Sequence, residues 1–321
     1  MTLAGGVGAS RFLRGLVAVA DAASVTAVVN TGDDVVLHGL RVSPDLDTVT
    51  YALAGVADAE QGWGLAGESW TVMEALERLR PAAPESSAAG ATWFRLGDRD
   101  LATHLYRTQR LLEGAPLSEV TTELARAFGL ACRLLPMTDD RVETRVEVDG
   151  HGEMGFQEYF VAHRHAVAVR SVRFSGADAA QPAPGVVEAI HAADRVVIAP
   201  SNPVLSIGPV LALAAIDEAV AARREDAVAV SPIVAGAALR GPAARLLAEL
   251  GHESTVVGVA RLWAPWAATL VVDDADAALA GSVEEEGVRC VVAPTVMRTP
   301  ADAAALARTV LAAGHGASAD R

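Results

Sequence analysis

Short apolar runs recur along the chain, each closed by a polar or glycine-containing break, with stretches of helical apolar spacing between them. Thr2-Leu3-Ala4 ends a first strand, Gly5-Gly6-Val7-Gly8-Ala9-Ser10 is a glycine-rich turn, and Arg11 to Ala20 reads as a helix. Ser24 to Val29 is β-branched enough for a buried strand, which Asn30-Thr31-Gly32 stops with a turn. Asp33 and Asp34 then emerge at its carboxyl edge, where open α/β sheets bind ligands. A helix is expected over Thr48 to Ala57, a Gly- and Trp-containing loop over Gln61 to Trp70, and a surface excursion over Pro81 to Gly90.

Two helices follow between Leu101 and Phe128, separated by Gly114-Ala115-Pro116, with Ser118 as N-cap of the second. Leu130 to Leu135 is a strand ending at a second pair of acids, Asp139 and Asp140. Arg141 to Val148, Phe156 to Ala162 and Ala166 to Phe174 alternate with period two and predict antiparallel strands. From Val186 onward the pattern predicts strands at Val196 to Ala199, Ala227 to Val230, Thr255 to Val259, Thr269 to Val272 and Arg289 to Ala293, with helices between. The fold class is therefore α/β: a parallel sheet wound with helices over 1–100 and 186–321, carrying a smaller inserted α+β subdomain over 101–185.

With 321 residues and 51% hydrophobic content the chain can bury a large core. A net charge of −14 argues against nucleic-acid binding, which needs clustered cations. The chain contains no lysine, so a P-loop lysine, a Schiff base and a pyridoxal phosphate anchor are excluded. Cys132 and Cys290 lack any C-x-x-C partner and read as core residues of a reducing compartment. Prolines break the one long apolar stretch, Val196 to Ile216, and no basic leader precedes an apolar segment, so no membrane span and a cytoplasmic location are expected. The eight histidines show no metal-ligand spacing; His163 and His165 alternate on the predicted strand and point to the surface.

Candidate chemistry concentrates between Asn30 and Thr48. Asp33, Asp34, Asp45 and Asp47 fall within fifteen residues, and Ser43-Pro44 disfavours helix before Asp45. In extended geometry Asp45 and Asp47 would share one side and call for a hard divalent ion such as Mg²⁺, open to phosphate oxygens; the alternative is that these acids are turn and helix caps. The glycine turn before a helix suits a phosphate. Gly6-x-Gly8 lacks the third glycine of a dinucleotide fingerprint, which falls at Arg11, so it is weak support for NAD. Arg95 and Arg99 either bind phosphate or carboxylate or pair on the surface with Asp98 and Asp100. Pro200-Ser201-Asn202-Pro203 and Ser206-Ile207-Gly208-Pro209 either hold an anion, with Asn202 reading a base or sugar, or are only tight turns.

Ten motifs in order give the chain an end-to-end resemblance to the CofD family, called FbiA in actinobacteria: Gly5-Gly6-Val7-Gly8, Asn30-Thr31-Gly32-Asp33-Asp34, Leu37-His38-Gly39, Ser43-Pro44-Asp45-Leu46-Asp47-Thr48, Leu96 to His104, Leu135 to Asp140, Phe156-Gln157-Glu158, Pro200-Ser201-Asn202-Pro203, Ser206-Ile207-Gly208-Pro209 and Val230-Ser231-Pro232-Ile233. The resemblance implies a Rossmann-like nucleotide-binding domain, a homodimer, and Mg²⁺-dependent transfer of a phospho-lactyl-type group to the deazaflavin Fo in coenzyme F420 biosynthesis. The donor is then a guanosine diphosphate ester of lactate or enolpyruvate, and GMP leaves. Asp47 aligns with the family's deazaflavin-binding acid and Arg95 with its second deazaflavin contact. Asp45 is the nearest metal candidate, with Asp47 beside it, and both are the catalytic candidates. The glycine loop (Gly5, Gly6, Gly8) with Ser201 and Asn202 would hold the diphosphate; Asn30, Asp33, Asp34, Arg99 and Ser206 complete the expected substrate site. An all-Arg, Ala-rich composition resembles actinobacterial chains and favours the enolpyruvyl donor.

Three departures stand beside this resemblance. Only Met1 to Ala4 precede Gly5, which suggests a start upstream; Arg261-Leu262-Trp263 stands where relatives often have a tyrosine; and no glutamate-ligase domain follows Arg321, so only the transfer step is expected. The competing readings are an NAD-dependent oxidoreductase and a non-catalytic nucleotide-binding protein.

Overall fold

A computed structural model describes residues 1–84, 87–238 and 242–313. Part of the Pro81 to Gly90 excursion, positions 85–86, lies outside them; the rest of it is exposed turns. The strands are β1 (Thr2–Ala4), β2 (Thr26–Val29), β3 (Val35–Leu37), β4 (Leu40–Val42), β5 (Arg133–Pro136), β6 (Glu143–Val148), β7 (Gly152–Gly155), β8 (Val169–Ser175), β9 (Val196–Ile198), β10 (Ala227–Val230), β11 (Ile233–Val234), β12 (Ala237–Ala238), β13 (Thr269–Val272) and β14 (Arg289–Val292). The first five helices are α1 (Gly6–Val19), α2 (Pro44–Leu53), α3 (Thr71–Leu79), α4 (Asp100–Leu112) and α5 (Leu117–Ala127).

Seven strands form one parallel sheet in the order β14-β13-β10-β9-β1-β2-β5. Successive side chains face opposite sides: Leu3 and Val28 pack into one core, while Ala4, Ala27 and Val29 pack into the other beneath α1. The α/β class read from the sequence is the class observed. β2 and β5 continue on one flank of β1 and β9, β10, β13 and β14 on the other, so strand order reverses between β1 and β9 and opens a crevice at their carboxyl ends.

Sheet membership moves the edge of the insertion. β5 lies inside the segment 101–185, yet it is hydrogen-bonded to β2 as an edge strand of the main sheet. The antiparallel unit is β7-β6-β8, over 143–175. Within it, Glu158–Ala162 is a wide helical turn and not the predicted strand; Phe156 and Phe160 stack four residues apart with centroids at 5.3 Å. His163 and His165 follow in a turn, half-buried, so they do not alternate on a strand.

Thr255 to Val259 also differs, opening the helix Val256–Trp263, where the Thr255 hydroxyl accepts from the Gly258 N–H at 3.2 Å. Ser118 does not cap α5. Its N–H and hydroxyl both donate to Asp139, and Asp140 accepts from the Gln181 N–H, so this acid pair ties loops together. Cys132 and Cys290 are free, one beside β5 and one in β14 at the opposite sheet edge. Among the described residues no single helix is long and apolar enough to cross a membrane.

Candidate active site

The crevice at the strand reversal widens into one cavity of about 890 Å³. Its floor is the turn from β1 into α1. Gly6 has φ +68°, the left-handed region that favours glycine. A Cβ on Gly8 would stand 2.1 Å from the Pro200 carbonyl oxygen, so only glycine lets this turn approach the loop after β9. The Ser201 hydroxyl donates to the Gly5 carbonyl at 2.8 Å and ties the two loops. Asn202 Oδ1 accepts from the Val204 and Leu205 N–H groups, so its carbonyl side is committed to the loop while the residue lines the cavity.

Asp45 and Asp47 correct the extended geometry expected of them. Both lie in the first turn of α2, with Pro44 at its start. The restriction imposed by proline falls on Ser43 (φ −119°, ψ 80°) and not on Asp45 or Asp47, proline suits the first helical position, and acids there complement the helix dipole. Residues two apart on a helix do not face each other. The two carboxylates therefore enter different networks.

Asp45 lies against the glycine turn: a Cβ on Gly5 would be 2.8 Å from its Oδ2. Asn30 Nδ2 bridges Asp45 Oδ2 at 3.0 Å and Asp33 Oδ2 at 3.2 Å, while Asn30 Oδ1 accepts from the Gly32 N–H. Asp33 Oδ1 is buried with no well-aligned hydrogen bond, and the Thr144 hydroxyl beside it is likewise unsatisfied. Burial pushes Asp45 up to about 6, against hydrogen bonds from Asn30 and Gly6, and burial together with the charge of Asp45 drives Asp33 well up. Two adjoining buried acids with an unsatisfied oxygen are a donor set that a hard divalent cation satisfies.

Asp47 is held from α4. Its oxygens accept a bidentate pair from Arg107, Nη1 to Oδ2 at 3.1 Å and Nη2 to Oδ1. His104 Nδ1 is 3.7 Å from Asp47 and its Nε2 is 3.2 Å from Asp100, which also accepts from the Tyr51 hydroxyl at 2.5 Å. Burial alone would raise Asp100, but His104 and Tyr51 hold it below the usual carboxylate range. Asp47, Asp100 and His104 offer ligand atoms within 4.8 Å of one another. The guanidinium on both Asp47 oxygens makes this a poor cation site, so Asp33 with Asp45 fits an ion better than the predicted pair of Asp45 with Asp47.

Of the residues expected from the sequence, Gly5, Gly6, Gly8, Asp33, Asp45, Asp47, Arg95, Ser201, Asn202 and Ser206 line the cavity. Three do not. Asn30 sits behind the wall as the bridge between acids. Asp34 accepts from Ser43 Oγ at 2.6 Å, with burial pushing it to about 8. Arg99 is exposed and donates to the Ala66 carbonyl. Arg95 lies over the Trp70 ring at 4.4 Å on a lip shared with Trp63 and Phe94. Asp98 neither pairs with Arg95 nor lies at the lip; it caps α3 through the Thr71 and Val72 N–H groups.

Sequence reasoning missed Tyr51, Asp100, His104 and Arg107 as parts of the site. The last three are spaced i, i+4, i+7 and share one buried helix face, a polar stripe that periodicity could have flagged.

A parallel sheet with a glycine turn at its strand reversal and buried acids beside it defines a Rossmann-like α/β fold. The family model described as 2-phospho-L-lactate transferase CofD matches residues 1–299. A phosphoenolpyruvate transferase of Streptomyces griseus is 47% identical over 319 residues, covering 97% of this chain and 96% of its own. One from Mycolicibacterium smegmatis is 42% identical over 325 residues, covering 96% of each chain. In fold, a Bacillus halodurans protein of the UPF0052 family aligns over 97% of each chain with a TM-score of 0.57 at 16% identity. The chain belongs to the CofD family, and it is a transferase of the phosphoenolpyruvate/2-phospho-L-lactate type.

Proposed function

We propose that this chain transfers a phosphoenolpyruvyl group, with 2-phospho-L-lactyl as the alternative, from a guanosine-diphosphate-linked donor to the ribityl hydroxyl of Fo, releasing GMP. The carrying observation is that one cavity joins a glycine turn at a helix N-terminus, a buried acid pair and an aromatic lip bearing Arg95. The enolpyruvyl preference is supported by the names of the relatives.

In this reading the backbone N–H groups of the glycine turn, with Ser201, Asn202 and Ser206, hold the diphosphate. Mg²⁺, held by Asp33 and Asp45, would supply charge neutralisation on that diphosphate. Arg95, backed by the Trp70 ring, holds the planar acceptor together with Trp63 and Phe94, and Asp47 accepts the hydrogen bond of the attacking hydroxyl. Both Asp47 oxygens already accept from Arg107, which fixes the carboxylate in place to orient the nucleophile. Phosphoryl-type transfers depend mainly on positioning and charge neutralisation, and no covalent enzyme intermediate is required. In the same proposal, which the family resemblance supports, the protein acts in the cytoplasm as a homodimer.

Each synthetic donor is supplied with Fo and Mg²⁺ and products are followed by mass, where the two differ by two hydrogens. The enolpyruvyl product is expected. Transfer from the lactyl donor alone reverses the donor assignment, and binding of NADH without response to GDP overturns the function.

A further inference from the structure

Arg107 is 1% exposed and is the largest fully buried side chain among the described residues. Enclosing a guanidinium away from water is costly, and a well-packed apolar pair would serve stability as well or better. Its two Nη groups donate to both Asp47 oxygens, and Nη1 also lies 3.3 Å from the Arg41 carbonyl and 3.4 Å from His104 Nδ1. On the far side of His104, Nε2 is 3.2 Å from Asp100, which accepts from the Tyr51 hydroxyl. A carboxylate offers about four lone-pair sites, so two remain on Asp47 where it lines the cavity.

We propose that Arg107 is the positioning residue of the acceptor site: by gripping both oxygens of Asp47 it keeps that carboxylate out of the cation site of Asp33 and Asp45 and turns its remaining lone pairs to the acceptor hydroxyl. This rests on the transferase reading above. Arg107 touches no substrate; it separates two acids only two residues apart into a cation ligand and a hydroxyl acceptor. Lysine at this position would keep the charge and lose the parallel pair of hydrogen bonds.

The test measures KM for Fo, kcat, and the Kd of GDP on the full chain. Arg107→Met is expected to raise KM for Fo at least tenfold while the Kd of GDP changes less than threefold, with Arg107→Lys between it and wild type. In the Asp47→Asn background Arg107→Met should add less than threefold to KM for Fo, because the residue acts only through that carboxylate. A rise in Fo KM below tenfold, an equal loss in GDP binding, or additive effects in the double variant overturns the proposal. If Arg107→Met does not fold, Arg107→Lys is read against the same ratio of Fo loss to GDP loss. A wild-type protein that binds GDP but not Fo instead refutes the proposed function.

Discussion

Two glycines of α1 face the same obstruction with different consequences. A Cβ on Gly8 would stand 2.1 Å from the Pro200 carbonyl oxygen, and one on Gly15 would stand 2.2 Å from the Ala303 carbonyl oxygen in the helix Pro300–Ala313. Both obstructing atoms are backbone, so each contact opens only by moving an element roughly an ångström. Overpacking of this kind costs about 1–3 kcal/mol, of which helix propensity returns up to about 1 kcal/mol. For a chain of 321 residues, with an unfolding entropy near 2.1 cal/mol/K per residue, the Tm falls by at most about 4 °C in either variant. Only Gly8 joins the glycine turn to the Pro200 loop, the two walls of the phosphate crevice. An ångström of misplacement can cost on the order of 100-fold in rate. Gly8→Ala should therefore lower kcat/KM for the guanosine-diphosphate-linked donor about 100-fold and weaken GDP binding in calorimetry, and Gly15→Ala should leave both within threefold at a similar loss of Tm. Equal GDP affinities for the two variants would refute the assignment of the glycine turn to the donor.

Asp47→Asn is expected to lower stability by about 3 kcal/mol in chemical denaturation, because it strands the buried Arg107 charge; an unchanged midpoint would contradict the buried pairing. Asp45 at about 6 and Asp34 at about 8 hold protons in the folded chain that the unfolded chain releases near 4, so their effect on stability is favourable below that value and fades as pH rises through 6 to 8. Mg²⁺ should accordingly raise Tm more at pH 8 than at pH 5.5, and Asp45→Asn should raise the metal-free Tm at pH 8 while abolishing that difference in a thermal-shift titration. Arg95→Ala should raise KM for Fo at least tenfold, whereas Arg99→Ala, whose side chain faces the Ala66 carbonyl, should stay within threefold in steady-state assays.

The apolar strands and the breaks after them determined the fold class, because a buried parallel strand needs a continuous β-branched run and ends in a polar loop. β1, β2, β9, β10, β13 and β14 are legible on that ground, as is the clustering of Asp33, Asp45 and the glycine turn at one sheet edge. A short apolar run does not by itself distinguish strand from helix. Val256–Trp263 is a helix because Thr255 caps it and its apolar face is covered from one side, and that cover comes from neighbours distant along the chain. The strand over Arg133–Pro136 joined the main sheet because β2 offered it an open edge, which no local pattern records. The same holds for the acids. Their number was visible, but their roles were set by partners brought in by folding. Asn30 and the glycine turn gather Asp45 with Asp33, while Arg107, sixty residues further on, claims Asp47. Two carboxylates separated by one residue thus received opposite environments, because a helix turns them to different neighbours and charge pairing in a buried site depends on distance in space.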